Sequence, residues 1–316
     1  MKNLVVITGP TAVGKTDISI KLAKEINGEI ISADSIQVYK GLDIGSAKIT
    51  EDEMDGVKHY LIDVLEPTDD FDIYTFKQMA EDAIEEIYAK GKVPIIVGGT
   101  GFYIQSVLYD VDFEETEVDM EYRKELEELA KKNGNEYVHK LLEEVDPEYA
   151  AGIHPNNLKR VIRALEFYHE NNIPLSEHNA EQKENESPYN FAYYVLNDDR
   201  DVLYDRINKR VDLMFEKGLV DEVKGLGLDK ANQSMQGIGY KEVLEYLNGD
   251  LSLEETKELI KKNTRHFAKR QLTWFRHEKV VQMIDYRDFD RDVDKVLAFM
   301  LKDLEEKVYG RIKETI

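Results

Sequence analysis

The sequence predicts an α/β protein, a parallel β-sheet flanked by helices and interrupted by an all-helical insertion. Three observations predict it. Leu4 to Thr8 is a short apolar, β-branched run that ends in a glycine loop, and Thr16 to Ile26 then places Ile18, Leu22 and Ile26 at helical spacing. Further apolar runs alternate with helical patterns through the first 110 residues, and such alternation implies parallel strands with crossover helices. From Asp119 to Asn171 the strand signals cease and helical segments follow one another.

The elements follow in order. Glu29 to Ser32, Tyr60 to Val64 and Val93 to Val97 read as strands, the last a continuous apolar run of the kind buried in parallel sheets. Phe76 to Ala89 supplies a helix between them. In the insertion, Tyr122 to Lys132, Glu136 to Val145 and Asn157 to Glu170 are helices, separated by Gly134 and by the Asp146-Pro147 and His154-Pro155 turns. Asn179 to Pro188 is polar and reads as a mobile loop, and Phe191 to Leu196 as a strand returning to the sheet. The remainder reads as helical. The expected division is a body of residues 1–112 and 190–316 with an insertion of residues 113–189.

A length of 316 residues suits one large body with a smaller unit. Apolar residues make up 42% and charged residues 34%, and no run approaches the roughly 20 apolar residues that span a bilayer, so no membrane partner is expected. The opening MKNLVVITGP is too short in its apolar part for a signal peptide. The absence of cysteine excludes disulfides, thiolate metal sites and a cysteine nucleophile. A cytoplasmic, monomeric enzyme is the expectation. The net charge of −22 argues against a polyanionic partner, but Lys257 to Lys279 holds eight Lys or Arg against two Glu, a basic stripe on an acidic chain. The acidic excess is concentrated in Asp110 to Glu128 and Asp285 to Asp294.

Gly9-Pro10-Thr11-Ala12-Val13-Gly14-Lys15-Thr16 satisfies G-x-x-x-x-G-K-[ST] between a strand and a helix, the context that makes it a P-loop and the sheet P-loop NTPase-like. Its glycines let backbone N–H groups close around phosphate oxygens. Lys15 adds a point charge, and the Thr16 hydroxyl can complete a Mg²⁺ shell at the helix N-terminus. An ATP-binding, ATP-hydrolysing enzyme of this class would place an aspartate at the end of a second apolar strand to hold Mg²⁺. Val93 to Val97 instead runs into Gly98-Gly99-Thr100-Gly101, and the nearest alternative carboxylate is Asp34, after Glu29 to Ser32.

Taken together, the motifs identify a resemblance. GPTAVGKT, ADSIQVYKGLDIGSAK (Ala33 to Lys48), HYLID (His59 to Asp63), GGTGFY (Gly98 to Tyr103), IHPNNLKRVIRALE (Ile153 to Glu166), LYDRINKRVD (Leu203 to Asp212), QGIGYKE (Gln236 to Glu242) and TRHFAKRQLTWFR (Thr264 to Arg276) occur in that order. The chain resembles the tRNA dimethylallyltransferases, which prenylate N6 of the adenosine 3′ of the anticodon. The blocks cover most of the chain as far as Arg276, and their joint occurrence carries the resemblance.

The resemblance implies that the P-loop holds the diphosphate of dimethylallyl diphosphate as a leaving group, with Mg²⁺ as cofactor and the tRNA anticodon stem-loop as partner. Asp34 is implied as the base that takes a proton from the adenine amine, a contribution of roughly 10²- to 10⁴-fold, and Thr100 as its neighbour. From the residues alone, the alternative for Asp34 is a helix cap or a group bonded to the water of a bound Mg²⁺, and for Thr100 a turn hydroxyl. Ser35, Ile36 and Gln37 are implied contacts of an extruded base, as are the backbone around Gln236, Gly237, Ile238, Gly239, Tyr240 and Lys241. Tyr240 also reads as packing. Lys159, Arg160, Val161, Ile162 and Arg163 are implied tRNA contacts on a helix with one apolar and one basic face. Arg123 is another, with an ion pair to a nearby glutamate as the competing role. Arg206 and Arg210, four apart, are assigned to diphosphate or RNA. Trp274 reads as core or as a base-stacking platform.

Three rival readings remain. A P-loop small-molecule kinase would need ATP and no RNA, a free-adenylate dimethylallyltransferase would not need the helical insertion, and a nucleotide-gated RNA-binding switch would catalyse nothing.

Overall fold

The computed structural model describes residues 2–111, 119–182, 185–278 and 280–309. The chain divides into two compact units, Met1–Leu108 with Pro188–Ile316, and Tyr109–Ser187. The expected boundary between residues 112 and 113 lies outside the described residues.

The larger unit begins with β1 (Lys2–Thr8), α1 (Lys15–Glu25), β2 (Gly28–Ala33), α2 (Glu51–Met54), β3 (His59–Tyr60), α3 (Ile73–Ala89), β4 (Val93–Gly98) and α4 (Gly101–Leu108). The smaller unit holds α5 (Met120–Asn133), α6 (Asn135–Val145), α7 (Pro147–Ala151), α8 (Leu158–Asn171) and α9 (Leu175–Gln182). The larger unit resumes with β5 (Tyr189–Asn197), α10 (Arg200–Glu216), α11 (Leu219–Leu226), α12 (Tyr240–Leu247), α13 (Leu253–Phe275), β6 (Gln282–Asp285) and α14 (Val293–Leu304).

Among the described residues the sheet has six parallel strands in the order β3-β2-β4-β1-β5-β6. Leu4, Val5, Val6 and Ile7 of β1 are fully buried, as an apolar run at the centre of a sheet covered on both faces must be. The register aligns Thr8 with Gly98 and Ala33 with Gly98, so β1, β2 and β4 end at one level. The P-loop, Asp34 and Thr100 each follow one of these strands. Parallel pairing therefore delivers all three to the same edge of the sheet, where open α/β sheets bind ligands.

The smaller unit has its own core, built from Leu126 and Ala130 of α5, Val138 and Leu142 of α6, and Val161, Ile162 and Leu165 of α8. The side chain of Asp146 caps α7 through the Tyr149 N–H at 2.9 Å and accepts from Ser176 N and Oγ at 2.9 and 2.6 Å, fixing the start of α9.

Three elements differ from the sequence expectation. The strand expected at Tyr60 to Val64 stops at Tyr60, because Leu61 and Asp63 adopt left-handed backbone, with φ of 61° and 53°. Val64 N and Leu65 N instead donate to Val38 O at 2.9 and 3.1 Å. The loop expected at Asn179 to Pro188 is helical in its first part, since α9 runs to Gln182; residues 183 and 184 lie outside the described residues. The expected all-helical C-terminal stretch contains β6, paired with β5 from Tyr194↔Gln282 to Asn197↔Asp285.

Candidate active site

The P-loop is shaped by its own sequence. Gly14 caps α1 with φ 102°, a conformation open to glycine, and Ala12 stands at φ 65°. Lys15 Nζ donates to the carbonyls of Gly9 at 3.0 Å and Pro10 at 2.9 Å, folding the lysine back over its own loop. Burial, and then the neighbouring Arg210 guanidinium, push the Lys15 pKa down to about 7, with the Asp34 carboxylate opposing. Arg210, on α10, donates to Thr11 Oγ1 at 3.4 Å. Its own pKa is lowered by desolvation, again opposed by Asp34, although the residue as a whole is exposed and lines the cavity. Lys15, Arg210 and Asp34 thus form one electrostatic unit with two cations and one carboxylate.

Asp34 Oδ1 accepts the backbone N–H of Ile36 at 2.9 Å and of Gln37 at 3.2 Å, so the carboxylate fixes the turn that follows β2. Thr100 O accepts Ile104 N–H at 3.2 Å and starts α4. Gln271, on α13, joins the two loops. Its Oε1 accepts Thr11 N–H at 2.9 Å and its Nε2 donates to Gly99 O at 3.0 Å. A Cβ at position 99 would meet Gln271 Nε2 at 2.1 Å, so a larger residue there would push this amide off its bonds.

Two cavities meet at these residues. One, of about 460 Å³, is lined by Thr11, Lys15, Asp34, Ser35, Ile36, Thr100, Arg210, Gln236, Gly237, Ile238 and Gln271, with Val211, Met214, Ile260 and Phe267 as an apolar wall. The other, of about 650 Å³, shares Lys15, Asp34 and Arg210 and adds Thr16, Gln37 and Lys48. A phosphate-binding loop, a carboxylate and an apolar wall therefore surround one space.

Some expected residues are placed elsewhere. Tyr240 is fully buried, and its hydroxyl donates to Glu222 Oε1 at 2.9 Å, so its side chain is packing and not an RNA contact. Gly239, at φ 102°, donates its N–H to Glu242 at 2.7 Å, and Lys241 stands 3.7 Å from Glu242, whereas Gln236, Gly237 and Ile238 stay on the cavity wall, with Gln236 Nε2 donating to Lys230 O. Arg206, expected at diphosphate or RNA, faces the buried Asp198 at 3.4 Å, which ties α10 to the end of β5, and its side chain keeps 42% of its surface exposed. Trp274 is 39% exposed and meets Phe102 edge-on at 6.4 Å, which corrects the core reading. With Lys269, Arg270, His266 and His277 it lines a surface cavity of about 710 Å³.

In the smaller unit, Lys159, Arg160 and Arg163 are exposed on α8. Val161 and Ile162, 0% and 5% exposed, belong to the core, so their side chains support the helix and offer nothing to RNA. Arg123 pairs with Glu166 through two bonds, Nε to Oε1 at 2.6 Å and Nη2 to Oε2 at 2.8 Å. It still borders a cavity of about 520 Å³ with Lys131, Asn135 and Lys159.

Sequence reasoning missed Gln271, Glu222 and Lys48. Gln271 and Lys48 lie within quoted blocks and Glu222 between two of them, but nothing in periodicity marks a glutamine or glutamate that bonds a distant backbone. Lys48, whose side chain is 4% exposed, donates to Tyr39 O and pairs with Asp43 and Asp63.

Comparison with known proteins agrees over almost the whole chain. A family model described as IPP transferase matches residues 37–278. A protein of Lachnoclostridium phytofermentans named tRNA dimethylallyltransferase is 57% identical over 310 residues, 97% of this chain and 99% of that one. The crystal structure of a tRNA isopentenylpyrophosphate transferase from Bacillus halodurans is 45% identical, covers 99% of this chain and 100% of its own, and superposes with a TM-score of 0.73. A eukaryotic dimethylallyltransferase, solved acting on tRNA, is 29% identical with a TM-score of 0.75, covering 99% of this chain and 78% of its own.

Proposed function

Because this chain belongs to the IPP transferase family, whose named relatives are tRNA dimethylallyltransferases, we propose that it transfers a dimethylallyl group from dimethylallyl diphosphate to N6 of the adenosine 3′ of the tRNA anticodon. The observation that carries this reading is the single cavity in which Thr11 and Lys15 of the P-loop stand with Asp34, Thr100, Arg210 and an apolar wall.

The nitrogen lone pair forms the new bond to the allylic carbon while the carbon–oxygen bond breaks, and that electron pair leaves with the diphosphate. Charge grows on the departing oxygens, where Lys15, Arg210 and the P-loop N–H groups stabilise it. In many enzymes preorganised donors of this kind account for most of the rate enhancement. Asp34, held by its turn, accepts the proton from the amine. The apolar wall of Val211, Met214, Ile260 and Phe267 takes the hydrocarbon tail and excludes water from the allylic cation character of the transition state.

The described residues contain no group of three or more His, Asp or Glu suited to a metal. Mg²⁺ does not require one, since it takes one or two protein oxygens and completes its shell with water and phosphate. Thr16 would hold it by its hydroxyl. When bound, Mg²⁺ supplies positive charge to the leaving diphosphate. For tRNA, the exposed Lys159, Arg160 and Arg163 of α8 and the basic face of α13 provide phosphate contacts, and Ser35 to Gln37 contact the extruded base. The expected cytoplasmic location and monomeric state belong to the same reading.

The test is incubation with dimethylallyl diphosphate, Mg²⁺ and, separately, tRNA, AMP, or ATP with small acceptors, followed by mass analysis. Prenylated adenosine appears only with tRNA. Prenylated AMP or a phosphorylated acceptor would overturn the reading.

A further inference from the structure

The turn Asp43 to Lys48 borders both active-site cavities, yet it contains no regular secondary structure to hold it. A carboxylate from α11 does so. Glu222 Oε2 accepts the backbone N–H of Asp43 at 3.0 Å and of Ile44 at 2.7 Å, and Oε1 accepts that of Gly45 at 3.1 Å. The buried Tyr240 hydroxyl adds a fourth bond at 2.9 Å. Three consecutive amides converging on one carboxylate form an anion nest whose anion is supplied by the protein itself.

The opposite side of the turn is also fixed. A Cβ at Gly45 would meet the Tyr240 ring at 2.5 Å, so the turn lies directly on that ring. Inside the site, Gln37 Nε2 donates to Ser46 O at 3.3 Å and Ala47 O at 3.5 Å. With its nitrogen engaged by carbonyls, the amide of Gln37 keeps its oxygen as the available group, an acceptor for a donor on a bound base. Movement of the turn would carry Ser46 and Ala47 away and release the amide to rotate.

We propose that Glu222 is a positioning residue: by gathering the amides of Asp43, Ile44 and Gly45 against Tyr240, it holds the cavity wall on which Gln37 is oriented towards the acceptor nucleoside. This rests on the prenyl-transfer reading for its kinetic consequence, though not for its structural one. Glu222 touches neither substrate in this scheme. The P-loop is built on β1 and Gln271, so diphosphate binding does not depend on the clamp.

Two variants test it. Glu222→Gln keeps the shape but presents an NH₂ group to donors on one side, and Gly45→Ala lifts the turn without altering Glu222. In both, kcat/KM for tRNA should fall about 100-fold, the scale expected of an ångström-sized misplacement. The dissociation constant for dimethylallyl diphosphate, titrated directly, should stay within about threefold, a change worth under 1 kcal/mol. Hydrogen exchange at residues 43–45 should be slow in the wild type and fast in both variants. Glu222→Asp, which keeps the charge, should recover part of the activity.

Wild-type tRNA kinetics in folded Glu222→Gln would overturn the proposal. So would an equal drop in diphosphate affinity, or unchanged exchange at the three amides. If the wild type itself transfers no prenyl group, the functional reading fails, and the exchange result still decides whether Glu222 holds the turn.

Discussion

Gln271 Oε1 accepts the Thr11 N–H at 2.9 Å, which places a residue from the longest helix in direct contact with the phosphate loop. The same amide bonds Gly99 O, one residue before Thr100. One side chain therefore sets the distance between the leaving-group clamp and the loop after β4. Gln271→Ala should cost about 1–3 kcal/mol for the two groups left without partners, and about 100-fold in kcat/KM. Gln271→Glu should be worse, because it sets a carboxylate against Gly99 O beside a departing anion. Thermal melts with steady-state kinetics check the order; a glutamate variant as active as wild type would refute it.

Asp34→Ala should lower turnover by roughly 10²- to 10⁴-fold, the range for removal of a general base. Affinity for tRNA should stay near that of the wild type. Single-turnover measurements separate this from collapse of the turn that Asp34 holds through Ile36 and Gln37, since a merely structural defect would weaken tRNA binding in parallel.

Lys15 gives a pH dependence with a definite sign. Burial and Arg210 bring its pKa down to about 7 in the free protein, and a bound diphosphate raises it. Below about 7 the amine is already protonated, and binding takes up no proton on its account. Above about 7 the proton must be acquired on binding, so affinity falls with rising pH. Calorimetry in buffers of different ionisation enthalpy should find uptake approaching about one proton near pH ~8.5 and almost none from this group near pH ~5.5. Lys15→Met should abolish the difference.

The Arg123–Glu166 pair predicts an asymmetry. Glu166 is 1% exposed, whereas the Arg123 side chain retains 35% exposure. Arg123→Ala strands a buried carboxylate and should cost about 3–5 kcal/mol, while Glu166→Ala leaves a cation that reaches solvent and should cost less. A double-mutant cycle on the melting of the smaller unit measures both. Equal destabilisation would show that the glutamate is wetter than its packing implies.

Replacing Lys159, Arg160 or Arg163 with Ala should weaken tRNA binding and reduce the salt slope by about one for each phosphate that is no longer neutralised. A titration from about 50 to about 200 mM salt reads this directly. A slope unchanged in all three would place the RNA elsewhere.

The sheet was largely legible in the sequence because each strand of the α/β alternation carries its own apolar signal. Val93 to Val97 needs no partner to announce burial. Gln282 to Asp285, four residues long and followed by acidic sequence, carries no such signal, and its strand character comes entirely from pairing with β5. Tyr60 to Val64 failed for the reverse reason: its apolar pattern was sound, but left-handed residues at Leu61 and Asp63 turned the chain toward Val38. At the site, the motif pointed to Lys15 and Thr16, the missing second-strand aspartate to Asp34, and helical spacing to Arg210, while the resemblance added Thr100 and a role for Asp34. Gln271 and Glu222 act on backbone atoms far away in the chain, at Thr11 and Asp43, a relation that no local pattern encodes.

The order of strands also constrains how the chain is made. β1 lies between β4 and β5, and its seven residues from Lys2 to Thr8 pair with Tyr189 to Val195. A ribosome that has delivered the P-loop, α3 and β4 has therefore produced a sheet with β1 at an open edge, and it remains open while the whole helical unit is synthesised. At about 5–20 residues per second that interval is several seconds or longer. An exposed apolar edge of this kind invites pairing with other chains, so the nascent protein should depend on chaperones during that interval. The helical unit, with its own core, can fold in the meantime, and the chain that follows it then delivers β5 to the waiting edge.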